Sequence, residues 1–272
     1  MPRLALSDGT PTWRRRTARE DVVRFAGWLG LVMLFVFCWR VMTGDTIWAF
    51  VWDAPQQAAD IAERMMPPRW SYMERLWAPL WDTINMATLG TLLAVVVAVP
   101  VAFLAARNTT PSAAFVRPAA LLIIVSSRSI NAIVWALVLV TILGPGILAG
   151  ILAIALRSIG FIAKLLYEAI EEIADEPVEA IRATGAGRLQ TMVWGIWPQV
   201  TPAFAGIVVF RWDINIREAT VLGLVGAGGI GLNLESSMST LAWPQVLLVL
   251  LVIFATVVAS EWISARIRHA II

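Results

Sequence analysis

Eight polar or charged residues interrupt apolar sequence: Arg128, Ser129 and Asn131 in one hydrophobic stretch, and Arg211, Asp213, Asn215, Arg217 and Glu218 in another. A guanidinium presents five donors in a planar fork, which suits the oxygens of a tetrahedral oxyanion. An ionised group at mid-bilayer costs roughly 2.5–3.5 kcal/mol on insertion scales unless a partner or a wet cavity receives it. Arginine outnumbers carboxylate at these positions, which favours a passage that attracts an anion. Ion pairing of Arg128, Arg211 or Arg217 with Asp213 or Glu218 is an equally good reading, and the two can coexist. Arg157 and Lys164 stand on a further apolar stretch, and snorkelling toward its nearer boundary accounts for Lys164.

These residues need apolar elements to carry them across a bilayer. The chain has 272 residues, 59 % of them hydrophobic and 15 % charged, with a mean hydropathy of +0.75, too apolar for a soluble domain. Crossing about 30 Å of hydrocarbon takes roughly 20 helical residues. Six windows qualify: 24–43, 84–106, 119–143, 146–167, 200–224 and 243–264. The expected architecture is therefore all-α and polytopic. It divides into a tail (1–23), a first span (24–43), an external loop (44–83) and a core (84–268) that contains a polar loop at 171–198.

Basic residues near span ends stay in the cytoplasm. Arg14, Arg15, Arg16 and Arg19, then Arg107 and Arg117, then Arg182 and Arg188, and finally Arg266 and Arg268 all fall on one side of a six-span chain. Both termini are thus expected in the cytoplasm. The basic run before the first span does not make it a signal peptide, because its apolar stretch exceeds the usual h-region and no small-residue cleavage pattern follows. In the external loop, from Trp52 to Met66, Trp52, Ala58, Ala59, Ala62 and Met65 or Met66 recur at helical spacing among polar residues, predicting a surface amphipathic helix that Pro67 and Pro68 stop. Tryptophans 48, 52, 70, 77, 81, 243 and 262 cluster near span ends, where an indole keeps its ring in lipid and its N–H wet.

Several chemistries are excluded or weak. Cys38 is the only cysteine and His269 the only histidine, so no cysteine- or histidine-rich metal site and no intrachain disulfide can form. A net charge of +2, accounted for by topology, gives no case for nucleic acid. Residues 226–231 match G-x-G-x-x-G, but Leu251 stands where a dinucleotide fold needs an acid, so the glycines are read as a turn or close helix approach. No G-x-x-x-x-G-K-[ST] loop occurs, so an ATP-driven process would need its ATPase from another subunit.

The polar loop begins with Glu168, Glu171, Glu172, Asp175, Glu176 and Glu179, followed by Arg182 and Arg188. Asp175 and Glu176 before Pro177 suit a helix entry. Gly185, Ala186 and Gly187 should break that helix, giving a short helix, a glycine turn and a second short helix that ends by Pro198. This loop resembles the coupling loop of bacterial ATP-binding-cassette importer permeases: Glu-Ala-Ala, three residues, Gly, nine residues, then Ile, any residue, Leu and Pro. Glu179, Ala180, Gly185 and Pro198 fall in register, while Ile181, Gly195 and Trp197 depart from it.

A wider pattern is similar to phosphonate and phosphite uptake permeases over about residues 80–268. It comprises Arg128 to Asn131 with Trp135, Ser158 to Gly160 with Lys164, Tyr167 to Glu171, and Asn215 to Thr220 with Gly223 and the glycine run. The resemblance implies a type I importer permease in the bacterial inner membrane, working as a homodimer. A cytoplasmic ATPase dimer would bind ATP and Mg and receive Glu179, Ala180, Gly185 and Pro198, and a periplasmic binding protein would deliver a phosphorus oxyanion. Two other classes stay open on the residues alone. An ion-coupled secondary anion transporter could also use intramembrane charges, and a lipid head-group enzyme would need a nucleophile or metal cluster near a span end.

Overall fold

The computed structural model describes residues 3–5, 11–13 and 18–271. Arg14, Arg15 and Arg16, which carry part of the topology argument, lie outside these residues. The chain forms two units, residues 1–60 and 61–272. In the first, a three-residue antiparallel ribbon pairs β1 (Arg3–Ala5) with β2 (Pro11–Trp13). Helix α1 (Ala18–Thr43) follows, with the length and hydropathy of a span and none of its apolar window buried. Its exposed Phe25, Trp28, Phe35 and Phe37 suit contact with lipid tails. Cys38 sits exposed on it, as a small apolar residue would. The expected surface helix is α2 (Trp48–Met65), longer by one turn at its start.

The second unit holds the remaining helices. α3 (Met73–Ala105) starts earlier than the window at 84 because an apolar run of Leu76, Trp77 and Leu80 extends the helix outward. α4 (Val116–Ser129) and α5 (Ala132–Leu143) were expected as one span, but they meet at 88°. The break falls at Ile130 and Asn131, where Asn131 takes an extended conformation and its side chain accepts from the Ile133 N–H as an N-cap. Among the described residues there are therefore five long apolar helices and one broken pair.

α6 (Ile147–Glu171) is central, packing against α3, α4, α5 and α9. The α3 face toward it is a stripe of small residues, including Ala87, Gly90, Thr91, Ala94 and Ala98, all buried. Within lipid, where hydrophobic transfer supplies no force between helices, such stripes let backbones approach closely. Buried alanines and isoleucines continue the core along the other end of the bundle.

After α7 (Asp175–Ala183) the short turn α8 (Arg188–Gln190) does not end as a separate helix. It passes through a π-helical stretch, Thr191–Ile196, into α9 (Trp197–Leu222). Pro198 consequently opens α9 rather than closing the polar segment. A proline in a helix's first turn forfeits no intrahelical bond, and the wider π turn takes up the change of register.

The glycine run precedes α10 (Ile230–Ser239), and α11 (Trp243–Ile271) completes the bundle. A Cβ on Gly231 would overlap the Thr220 carbonyl oxygen, so these helices touch backbone to backbone. Thr83 on α3 secures the turn by accepting from the Ile230 N–H at 2.8 Å. The run is thus a packing device at a helix break, as its refusal of the dinucleotide context suggested.

Candidate functional site

Helical periodicity places Arg211, Asn215 and Glu218 on one face of α9, with Asp213 and Arg217 one turn apart on an adjoining face. Arg211 is 2 % exposed. Its Nε donates to Ser158 Oγ at 2.9 Å and its Nη2 to Glu218 Oε2 at 3.1 Å. The Phe161 ring centroid lies 5.1 Å from its guanidinium carbon. Ser158 donates onward to Asn215 Oδ1 at 3.1 Å, and Asn215 Nδ2 to Thr91 Oγ1 at 2.7 Å. Three helices are thereby joined by one polar chain in which each buried group has a partner, as low-dielectric surroundings require.

The second oxygen of Glu218 takes Arg157. Arg157 Nη1 is 2.8 Å from Glu218 Oε1 and donates to Asn131 Oδ1 at 3.3 Å. Arg157 is therefore held within the cluster. Lys164, by contrast, pairs along its own helix with Glu168 at 3.5 Å. Arg217 pairs with Asp213, whose Oδ1 accepts from Ser260 on α11 at 2.8 Å. Three arginines (157, 211, 217) against two carboxylates (213, 218) leave a formal charge of +1.

A cavity of about 390 Å³ opens at this cluster, lined by Asn131, Ile133, Arg157, Arg217, Glu218 and Val221. The break between α4 and α5 supplies Asn131 to it. Of the residues expected to line a passage, Asn131, Arg217 and Glu218 face this cavity, and Arg211 and Asn215 support it from behind. Arg128 and Ser129 do not join it. Arg128 ends α4 exposed, with no ion pair among the described residues, and Ser129 Oγ turns back to the Val125 carbonyl at 2.8 Å. Sequence reasoning missed Thr91 and Ser260, which are single hydroxyls in apolar helices. Ser158 was visible only as part of a resemblance.

At another place on the bundle, α7 forms a knob. Val178 is 4 % exposed and packs under it, while Glu179 and Ala180 on its outer side are exposed. No hydrogen bond or ion pair holds Glu179 among the described residues. Gly185 adopts φ +82°, and a Cβ added there would meet nothing within 4 Å, so a left-handed turn alone requires glycine at this position. Arg188 Nη2 donates to the Thr109 carbonyl, and Arg107 N donates to Glu171 at 2.8 Å. Arg117 pairs with the same carboxylate at 3.6 Å. The 107–117 loop and the knob therefore sit at one end of the bundle, as the charge bias required of both. Between them lies a cavity of about 470 Å³ lined by Asn108, Thr110, Arg182 and Arg188, among others.

Residues 98–269 match the family of binding-protein-dependent transport system inner membrane components. The chain belongs to this family. It is 37 % identical to the phosphite transport system permease protein PtxC of Stutzerimonas stutzeri, over 94 % of this chain and 90 % of that protein. It is 39 % identical to the phosphate-import permease protein PhnE of Mycolicibacterium smegmatis, over 81 % of this chain and 41 % of that longer protein. Among solved structures, a chain of the inward-facing MetNI methionine ABC transporter superposes with a TM-score of 0.64 at 23 % identity, covering 75 % of this chain and 99 % of that one.

This inner-membrane transport component thus has the type I importer permease fold, and membership decides against the ion-coupled alternative. The departures from the coupling signature become intelligible in it. Gly195 packs directly under α7, where an added Cβ would lie 3.4 Å from the Val178 Cα and 3.7 Å from the Ile181 Cγ1. Trp197 fills the neighbouring space, stacked on Phe103 at 6.2 Å and tilted against Phe204 at 5.2 Å. Gly195 thus faces the inner side of α7 and Trp197 packs within the bundle, so neither departure alters the knob's outer face.

Proposed function

We propose that this chain is the permease subunit of an ATP-driven importer that carries a phosphorus oxyanion, phosphite or a close relative, into the cytoplasm by alternating access. The observation that carries the reading is the cavity at the α4–α5 break. It is lined by two arginines and an asparagine, inside a chain whose 37 %-identical relative is a phosphite permease. Arginine forks in a low-dielectric wall attract a tetrahedral anion. The paired carboxylates hold the cluster near neutrality, so the anion can leave again.

In this reading two copies of the chain flank the path, with Asn131, Arg217 and Glu218 lining it and Arg211 and Asn215 supporting them from behind. A separate cytoplasmic ATPase dimer binds ATP and Mg and performs the hydrolysis. Its surface receives the knob through Glu179, Ala180 and the turn at Gly185, while Pro198 passes the motion into α9. A periplasmic binding protein delivers the anion, and both termini of the permease are cytoplasmic. The continuous helical path from Arg188 to Val225 supports this coupling, because a displacement of the knob is transmitted along a rigid element to Arg211 and Arg217.

The test is ATP-dependent uptake of phosphite into proteoliposomes holding the permease, its ATPase and its binding protein. Hypophosphite, phosphate and an organic phosphonate serve as competitors. Uptake blocked by at least one of these anions and absent without ATP is expected. Uptake driven by an ion gradient without ATP would overturn the reading.

A further inference from the structure

We infer that Glu218 is a built-in stand-in for the transported anion, and that Arg157 is the residue that exchanges it for substrate. The inference rests on the transport reading above and adds to it a ligand, Arg157, together with a mechanism of release. Glu218 is gripped by two guanidiniums from different helices, Oε1 by Arg157 at 2.8 Å and Oε2 by Arg211 at 3.1 Å. A carboxylate bridging two forks in this way occupies the positions that two oxygens of a tetrahedral oxyanion would take.

The two grips are unequal. Arg211 is locked, with a side chain 2 % exposed and further held by Ser158 and the face of Phe161. Arg157 is 31 % exposed, lines the cavity and, among the described residues, has only Asn131 as a further side-chain partner, at 3.3 Å. An anion entering the cavity meets Arg157 and Arg217 together. Arg157 can leave Glu218 for it without exposing an unpaired buried charge, because Glu218 keeps Arg211 and Arg211 keeps Glu218. When the path opens inward, Glu218 retakes Arg157 and returns the anion to water. Competition of this kind limits affinity, and a transporter must release what it binds.

Opposite shifts from the two partners are the signature of such an exchange. The experiment titrates phosphite into the assembled transporter in lipid nanodiscs, in high chloride, and reads the dissociation constant by phosphorus-31 NMR line broadening. Wild type, Arg157→Gln, Arg157→Lys and Glu218→Asp are compared. Arg157→Gln is expected to weaken phosphite binding by about tenfold, the loss of one charge-assisted contact, and Arg157→Lys by less. Glu218→Asp, one methylene shorter and so a weaker competitor for Arg157, is expected to tighten binding several-fold and to slow uptake. A purely structural ion pair predicts instead that both substitutions lower the unfolding midpoint and leave phosphite affinity as in wild type. That result, or shifts of the same sign in Arg157→Gln and Glu218→Asp, overturns the exchange. Wild-type transporter that takes up phosphite while Arg157→Gln binds it equally well defeats only this inference. Wild type that takes up no phosphorus oxyanion at all defeats the transport reading along with it.

Discussion

Two polar regions of this chain use the same residue types to opposite ends. In the α6–α9 cluster each of the five described charges is paired with one of opposite sign. Ser158, Asn215 and Thr91 complete the hydrogen bonds there. On the α7 knob, Glu179 is exposed and unpaired among the described residues, and Arg182 faces an open cavity. Surroundings account for the difference. Inside a bilayer an unsatisfied ion is too costly to keep, so the cluster is closed on itself and its function must come from rearranging existing pairs. At the aqueous face an unpaired ion costs little, so the knob can leave its charges open for another protein.

That contrast can be broken at several points. Glu218→Ala strips Arg211 of its counter-charge and should cost roughly 3–5 kcal/mol, as removal of one partner from a buried pair does. A thermal unfolding midpoint equal to that of wild type would show the cluster is not closed as described. Gly231→Ala drives a methyl into the Thr220 carbonyl, a backbone group that cannot swing aside. Overpacking of this sort costs about 1–3 kcal/mol, so the same assay should show a clear drop.

The knob should respond differently. Gly185→Leu has open space and suffers only from its left-handed conformation, about 1–2 kcal/mol. Its main effect should be functional, with ATP hydrolysis continuing while uptake per ATP falls. Normal substrate-stimulated hydrolysis with normal uptake in that variant would remove Gly185 from the coupling element. Glu179→Ala should shift stability by no more than about 0.5 kcal/mol, the range for surface substitutions, while weakening co-purification of the ATPase. Undiminished co-purification would leave the knob's exposed carboxylate without a role.

Much of this was legible in the amino-acid order because lipid imposes a strict code. Apolar windows marked the long helices, and arginine placement put the 107–117 loop and the knob at one end of the bundle. Polar interruptions marked the cluster, since a charged residue in such a window has few reasons to be there. The bend between α4 and α5 was less legible. Arg128, Ser129 and Asn131 signalled an interruption, but only backbone geometry reveals that Asn131 caps a new helix while Arg128 and Ser129 end the old one. Arg157 was equally ambiguous, since a side chain that long can reach either the membrane boundary or a neighbouring helix. Pro198 misled because proline stops a helix that precedes it and also starts one that follows, and the π turn at Thr191–Ile196 leaves no mark in composition.

An arginine-lined path requires Arg217 to face the anion as well as pair with Asp213. The paired substitution Asp213→Asn with Arg217→Gln removes both charges together, keeps the cluster's formal charge at +1 and leaves Ser260 an oxygen to donate to. In proteoliposomes containing the ATPase and the binding protein, phosphite uptake by this double variant should fall about tenfold, the value of one charge-assisted contact, with the unfolding midpoint close to that of wild type. Wild-type uptake by the same folded variant would reduce Arg217 to a structural lock and contradict an arginine-lined path.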